Sequence, residues 1–277
     1  MTPKNFSQNG KIQPIEKANI PFSNIEYAYG YGVYESLRIR NGIVFFEKQH
    51  IDRLINSASI LEIEHPFTKE IISESISNLI ILEAPSTCNL KILLIGGKSP
   101  SDAKLNIFLL NPLFPDRKLY SDGMNTITYK YQRLFPNAKT LSMLGSYMAY
   151  KKAKENNCYD ALLIDENKNI IEGTRTNFFA MKGKKIFTAP KEKILEGITR
   201  EIVILLAKED DYEIIEDEIS INKLSSYDSA FLTSTSSKII PVKNIDSHKF
   251  TNISDELRNL MNLYDKFLES SNGVFDF

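Results

Sequence analysis

Two prolines flank Leu113-Phe114 in the segment Asn111-Pro112-Leu113-Phe114-Pro115-Asp116, and that segment constrains the fold more than any other. Each proline ring removes a backbone donor and fixes φ, so neither a helix nor an interior strand runs through it. Ser121-Asp122-Gly123 adds a turn just beyond. The chain is therefore expected to fold as two units, a small one over residues 1–115 and a larger one over 116–277. A length of 277 residues with 42% hydrophobic content supplies enough apolar material for two cores.

Before the break, strand and helix patterns alternate. Tyr34 to Ile39 alternates apolar with polar residues, Asn41-Gly42 is a hairpin turn, and Ile43 to Phe46 is a second apolar run; together they read as a β-hairpin. From Lys48 to Leu61 the residues Ile51, Leu54, Ile55, Ala58 and Leu61 recur at helical spacing, with Arg53 off the stripe. Thr68 reads as the cap of a second helix that buries Ile72, Ile76, Leu79 and Ile80. Strands are expected over Lys91 to Ile95 and Leu105 to Leu110. Past the break, Ser142 to Glu155 suits a helix, whereas Ala161 to Ile164, Ile170 to Glu172, Phe178 to Met181 and Ile186 to Thr188 suit short strands. Thr199 reads as the N-cap of a helix reaching Ala207. Ser254 reads as the cap of a last helix, with Leu257, Leu260, Met261, Tyr264 and Phe267 on one face. The fold class is α/β in the α+β sense, and the second unit is the strand-rich one.

Charge and cysteine usage exclude several partner classes. Lys+Arg 34 against Asp+Glu 35 leaves a formal charge of -1, and neither sign forms a block. Nucleic acid and membrane surfaces are not the expected partners; small molecules are. Met1 to Gly10 is polar, and no window approaches about 18 consecutive apolar residues, so a cytoplasmic setting is expected. Cys88 and Cys158 are too few and too far apart for a disulfide framework or a zinc knuckle, and read as structural thiols. His50, His65 and His248 lack metal-ligand spacing, and no metal is expected.

Three later segments carry chemistry. Lys139, in Ala138-Lys139-Thr140-Leu141-Ser142-Met143-Leu144-Gly145, follows the loop signal Pro136-Asn137 and is expected at a loop edge. Taken alone it is a solvated surface amine, and Glu172 in Ile171-Glu172-Gly173 is a strand-end acid. Gly197-Ile198-Thr199-Arg200 opens a helix, whose unpaired amides and positive dipole end accept phosphate. An amine, a carboxylate and an amide cradle are together what pyridoxal 5′-phosphate requires, for its aldehyde, its ring nitrogen and its phosphate. With Asn177-Phe178-Phe179 following Glu172, these segments resemble the class IV aminotransferases. That family, also called fold type IV, includes branched-chain aminotransferases, D-amino acid aminotransferases and aminodeoxychorismate lyase.

The resemblance spans about Ile20 to Val242 and implies a fold type IV architecture, with a small N-terminal α/β domain and a larger cofactor-binding C-terminal domain. It makes Lys139 the catalytic lysine, both anchor and base, and Glu172 the partner of the ring nitrogen. It assigns Arg53, within His50-Ile51-Asp52-Arg53-Leu54, to the phosphate, where a planar guanidinium pairs two oxygens at once. The amides of Ile198 and Thr199 serve the same phosphate, joined by Ser234 and Thr235 from the turn Thr233-Ser234-Thr235-Ser236-Ser237. Tyr29-Gly30-Tyr31-Gly32-Val33-Tyr34-Glu35-Ser36-Leu37-Arg38 is similar to the family's first signature, which makes Tyr29, Tyr34 and Arg38 substrate residues. The implied activity moves an amino group between an amino acid and a 2-keto acid, with branched-chain L-amino acids as one substrate class, in a homodimer. Aminodeoxychorismate lyase, which eliminates pyruvate, is the alternative, and a catalytically silent protein of the same fold is the third reading. The motifs depart from both main subfamilies. Ser99-Pro100 is followed by Ser101, Asp102 and Ala103 where D-amino acid enzymes carry an arginine and a histidine. Leu144 stands where branched-chain enzymes place a tyrosine, and Lys238 where they place a glutamate. The roles of Arg133 and Arg175 stay open.

Overall fold

The computed structural model describes residues 3–112, 114–271 and 273, so Leu113 of the proline segment lies outside the described residues. They sort into two units. The first holds the described residues up to 112, Ala138–Met143, Ser271 and Gly273; the second holds Phe114–Asn137 and Leu144–Ser270. A single cut after residue 115 leaves out the return of Ala138–Met143, the segment that carries Lys139.

In the first unit, β1 (Asn5–Gln8), β2 (Lys11–Pro14), the short α1 (Ile25–Ala28), β3 (Gly32–Arg40), β4 (Ile43–Val44), α2 (Glu47–Ile60), α3 (Lys69–Glu83), β5 (Thr87–Ile95) and β6 (Lys104–Leu110) follow one another. The strands form a six-stranded sheet in the order β2-β1-β6-β5-β3-β4. Strand periodicity sends Val33, Leu37 and Ile39 to one face of β3, where they pack with Ile51, Leu54 and Ala58 of α2 and Ile72, Ile76 and Leu79 of α3. Thr68 caps α3 as expected, its hydroxyl accepting from the Ile71 amide. The expected strand to Phe46 stops at Val44. Phe45 and Phe46 are buried, and Phe46 takes a left-handed conformation (φ 59°) that turns the chain into α2. β1 and β2 have no counterpart in the sequence pattern, because the polar start of the chain carries little apolar signal.

The second unit contains α4 (Lys118–Asp122), β7 (Met124–Lys130), α5 (Leu144–Glu155), β8 (Asp160–Ile164), β9 (Asn169–Gly173), β10 (Asn177–Lys182), β11 (Lys185–Thr188), α6 (Ile198–Glu209), β12 (Glu213–Glu216), β13 (Ile219–Ser220), β14 (Ser229–Ser234), β15 (Lys238–Ile245), β16 (His248–Lys249) and α7 (Asp255–Ser270). Its ten-stranded sheet runs β12-β11-β10-β14-β15-β7-β8-β9-β13, with β16 on β15. One further pairing, Glu172 of β9 with Asn177 of β10, closes β10-β14-β15-β7-β8-β9 into a ring. β7 and β8 are parallel, so the chain must cross over between them, and α5 lies in that crossover. The core of the ring includes Leu162, Ile170, Phe178, Leu232 and Ile240. Ser254 caps α7 as expected, accepting from the Leu257 amide. Among the described residues, no helix is long and apolar enough to cross a membrane.

Candidate active site

Lys139 does not stand at a free loop edge; it lies in a short run pinned to β3. The Tyr34 amide donates to the Lys139 carbonyl (2.9 Å), the Leu141 amide donates to the Gly32 carbonyl (2.8 Å), and Thr140 opposes Val33 in an antiparallel bridge. That register sets Lys139 opposite Tyr34 on the same face. Its Nζ lies 4.6 Å from the Tyr34 ring centroid, and Lys91 Nζ lies 4.7 Å from the same ring, both within cation–π range. The Lys139 amide also donates to Ser57 Oγ on α2 (3.1 Å). Gly32 makes this docking possible, since a Cβ there would stand 2.7 Å from Leu141 Cδ1 and 2.8 Å from the Leu94 carbonyl oxygen.

On the opposite face of β3, Glu35 has the parity of Val33 and Leu37 and is wholly buried. Arg53 of α2 forks onto it, Nε to Oε1 at 2.7 Å and Nη2 to Oε2 at 2.8 Å, while His50 Nδ1 lies 2.7 Å from Oε2. Burial alone raises the Glu35 carboxyl, yet the Arg53 charge beside it and the hydrogen bonds from Arg53 and His50 outweigh burial and hold it far below the usual carboxylate range. Burial pushes His50 down, further than the Glu35 carboxylate restores it. His50 is therefore neutral at pH 7, with Nδ1–H donating to Glu35.

In the second unit, Glu172 sits at the seam of the strand ring. Arg133 Nε donates to its Oε1 (2.7 Å), Arg133 Nη2 stands 2.6 Å from the same oxygen, and the Leu195 amide donates to Oε2 (3.3 Å). Asn177, its strand partner, donates from Nδ2 to the Leu195 carbonyl (2.7 Å). Its Oδ1 packs so close to Gly197 that a Cβ there would stand 2.1 Å away. Gly197 is the N-cap of α6, two residues before the expected cap; Thr199 lies buried inside the first turn. The amides of Ile198 and Thr199 belong to that first turn, which has no intrahelical acceptors for them. Ser234 ends β14 and accepts from the Ser237 amide (3.1 Å), with Thr235 next in the turn. Asp160 is buried beneath the turn that follows Glu172, accepting from Thr174 Oγ1 (2.5 Å) and Thr176 Oγ1 (3.0 Å). Burial raises the Asp160 carboxyl despite these bonds.

The first unit thus carries Lys139, Tyr34, Arg38 and Arg53; the second carries Glu172, Ile198, Thr199, Ser234 and Thr235. Tyr29 follows α1 and is largely exposed, as is Leu144 at the start of α5 (74%). The chemistry of the two sets fits pyridoxal phosphate: an amine held against an aromatic ring, an oriented carboxylate, and a helix start whose N-cap admits only glycine. Sequence reasoning missed Glu35, His50, Ser57 and the place of Arg133. Parity alone exposes Glu35, because an acid in register with Val33, Leu37 and Ile39 must be buried and so needs a cationic partner. Arg175 lies with its guanidinium carbon 4.3 Å from the Tyr150 ring centroid.

The putative branched-chain-amino-acid aminotransferase of Methanocaldococcus jannaschii is 34% identical over 261 residues, 88% of each chain. The D-alanine aminotransferase of Bacillus licheniformis is 30% identical over 247 residues, covering 86% of this chain and 87% of that protein. Among solved structures, a T.th. branched-chain amino acid aminotransferase with pyridoxamine 5′-phosphate superposes with a TM-score of 0.89 at 25% identity, covering 96% of this chain and 94% of that one. The sequence model described as Amino-transferase class IV matches residues 32–245, from the glycine that admits the lysine segment to the last residue of β15, and the chain belongs to that family.

Proposed function

We propose that this protein is a pyridoxal 5′-phosphate-dependent aminotransferase that moves an amino group between an amino acid and a 2-keto acid, with branched-chain L-amino acids as donors. The observation that carries the reading is the pairing of residues 139–141 with β3, which fixes an otherwise mobile lysine amine beside Tyr34. When bound, the cofactor supplies an electron sink for negative charge at the substrate α-carbon. Lys139 Nζ would bond the cofactor's aldehyde carbon and, once the substrate amine has taken that place, carry the α-proton. The Glu172 carboxylate would hold a proton on the ring nitrogen. The amides of Ile198 and Thr199, with Ser234, Thr235 and Arg53, would hold the phosphate. Tyr34 walls the lysine, and Arg38, on the same face of β3, with Tyr29, would meet the substrate. The branched-chain assignment is supported by the relatives of that name, and the loss of the arginine and histidine after Ser99-Pro100 weighs against a D-amino acid donor. A homodimer in a reducing cytoplasm accompanies the reading; free Cys88 and Cys158 support the compartment.

The test is a visible absorbance spectrum of the protein with pyridoxal phosphate, repeated with L- and D-amino acids added singly. Bleaching of the lysine-bound band by L-leucine, L-isoleucine or L-valine, with the matching keto acid formed, is the expected result. Bleaching by D-alanine alone would transfer the substrate to the D-series. Pyruvate release from aminodeoxychorismate without a keto acceptor would replace the aminotransferase with the lyase.

A further inference from the structure

Among the described residues, Arg133 is the cation that forks onto a carboxylate the proposed reaction uses. It lies in the stretch joining β7 to α5, and it makes two connections at once. Its Nε and Nη2 both approach Glu172 Oε1, at 2.7 and 2.6 Å, and its Nη2 also donates to the Pro136 carbonyl at 2.7 Å. Pro136 stands three residues before Lys139 in the chain. Asn137, the next residue, donates from Nδ2 to the carbonyls of Lys191 (2.7 Å) and Ile194 (3.0 Å), in the loop whose Leu195 amide reaches Glu172 Oε2. The carboxylate is therefore held at both oxygens, and the stem of the lysine segment is held by the same guanidinium.

We propose that Arg133 is a positioning residue: it fixes the rotamer of Glu172, keeps it ionised, and sets the stem from which Lys139 departs. The inference rests on the reading of Glu172 as the partner of the cofactor's ring nitrogen. Two features of arginine suit it to this place. Its planar fork reaches a carboxylate and a backbone carbonyl simultaneously, which a single ammonium does with poorer geometry. Its permanent charge withdraws electron density from the carboxylate, so a proton shared between Glu172 and a ring nitrogen is driven toward the nitrogen. Other charges near the loop answer to one another: Lys191 pairs with Glu196 and Glu201, and Lys193 with Glu218 and Asp165.

The experiment loads wild type, R133Q and R133K with pyridoxal phosphate labelled with 15N at the ring. It records the nitrogen chemical shift, the cofactor dissociation constant, and kcat and KM for L-leucine. In R133Q the ring-nitrogen signal moves toward the neutral-pyridine position, and kcat falls about tenfold to a hundredfold with KM within about twofold, as expected when an orienting partner is lost. R133K recovers part of the shift. A purely structural arginine would lower thermal stability and leave the nitrogen signal where it is in wild type, which overturns the inference. If R133Q does not fold, R133M, which keeps the aliphatic stem without the charge, is read in its place, and a signal identical to wild type overturns it equally. Failure of the underlying reading looks different: wild type itself would form no lysine-bound band.

Discussion

At the scale of single residues, space and charge decide more than residue type. Lys139→Ala removes the only side-chain amine of the segment paired to β3; the expected outcome is a protein that folds with wild-type stability in urea but shows no lysine-bound cofactor band. Gly32→Ala tests the docking itself. The added methyl would meet Leu141 Cδ1 at 2.7 Å and the Leu94 carbonyl at 2.8 Å, and the carbonyl cannot yield without disturbing the β3–β5 ladder. A loss of about 1–3 kcal/mol is expected in urea unfolding, with a smaller covalent cofactor fraction as Lys139 shifts. Lys139 and Glu172 are singled out by the sequence as candidates because their neighbours form runs. Glu35 and Arg133 are not, because their meaning lies in partners 18 and 39 positions away. No local pattern records a contact of that kind.

At the scale of elements, helices are the most legible and their starts the least. The caps at Thr68 and Ser254 stand out because a hydroxyl followed by an apolar stripe is a local signal. The start of α6 falls earlier than the pattern places it because its cap has no side chain. Gly197 stands there to make room for Asn177, a tertiary requirement that a cap rule does not contain. Asn177 in turn holds the Leu195 carbonyl, so the loop before α6 rests on one amide side chain. Asn177→Ala should cost about 1 kcal/mol, the net contribution of a half-buried hydrogen bond to the Leu195 carbonyl. It should also weaken the binding of pyridoxal phosphate. Urea melts and a cofactor titration read the two effects separately, and a variant losing stability with unchanged affinity would detach Asn177 from the proposed phosphate cradle. The short strands β1, β2 and β13 escape the sequence for the reason that short strands generally do: their stability comes from neighbours rather than from their own pattern.

At the scale of the whole molecule, buried titratable groups tie stability to pH. His50, ordinarily near 6.5, is held neutral by burial, so as pH falls below about 6.5 the unfolded chain binds a proton the native chain refuses. Glu35, ordinarily near 4.5, is held ionised, so below about 4.5 the unfolded chain again binds more protons. Both make stability fall with pH. Asp160 acts oppositely, because its raised carboxyl protonates first in the native state as pH falls. The His50 and Glu35 contributions predict a urea midpoint lower at pH 5 than at pH 7 and lower again at pH 4; a flat profile would show that the Glu35–His50 pair does not control acid stability. The two-part organisation is legible from the paired prolines, but the reach of Ala138–Met143 into the first unit is not, since nothing in those residues names a strand to pair with. That reach makes the chain a poor candidate for division at its prolines. A fragment ending there would keep β3 but lose the run that lies along it, and the remainder would keep Lys139 but lose the strand that aims it. Such halves would behave as a split reporter, silent apart and competent only on reassembly, with the lysine as the signal of their reunion.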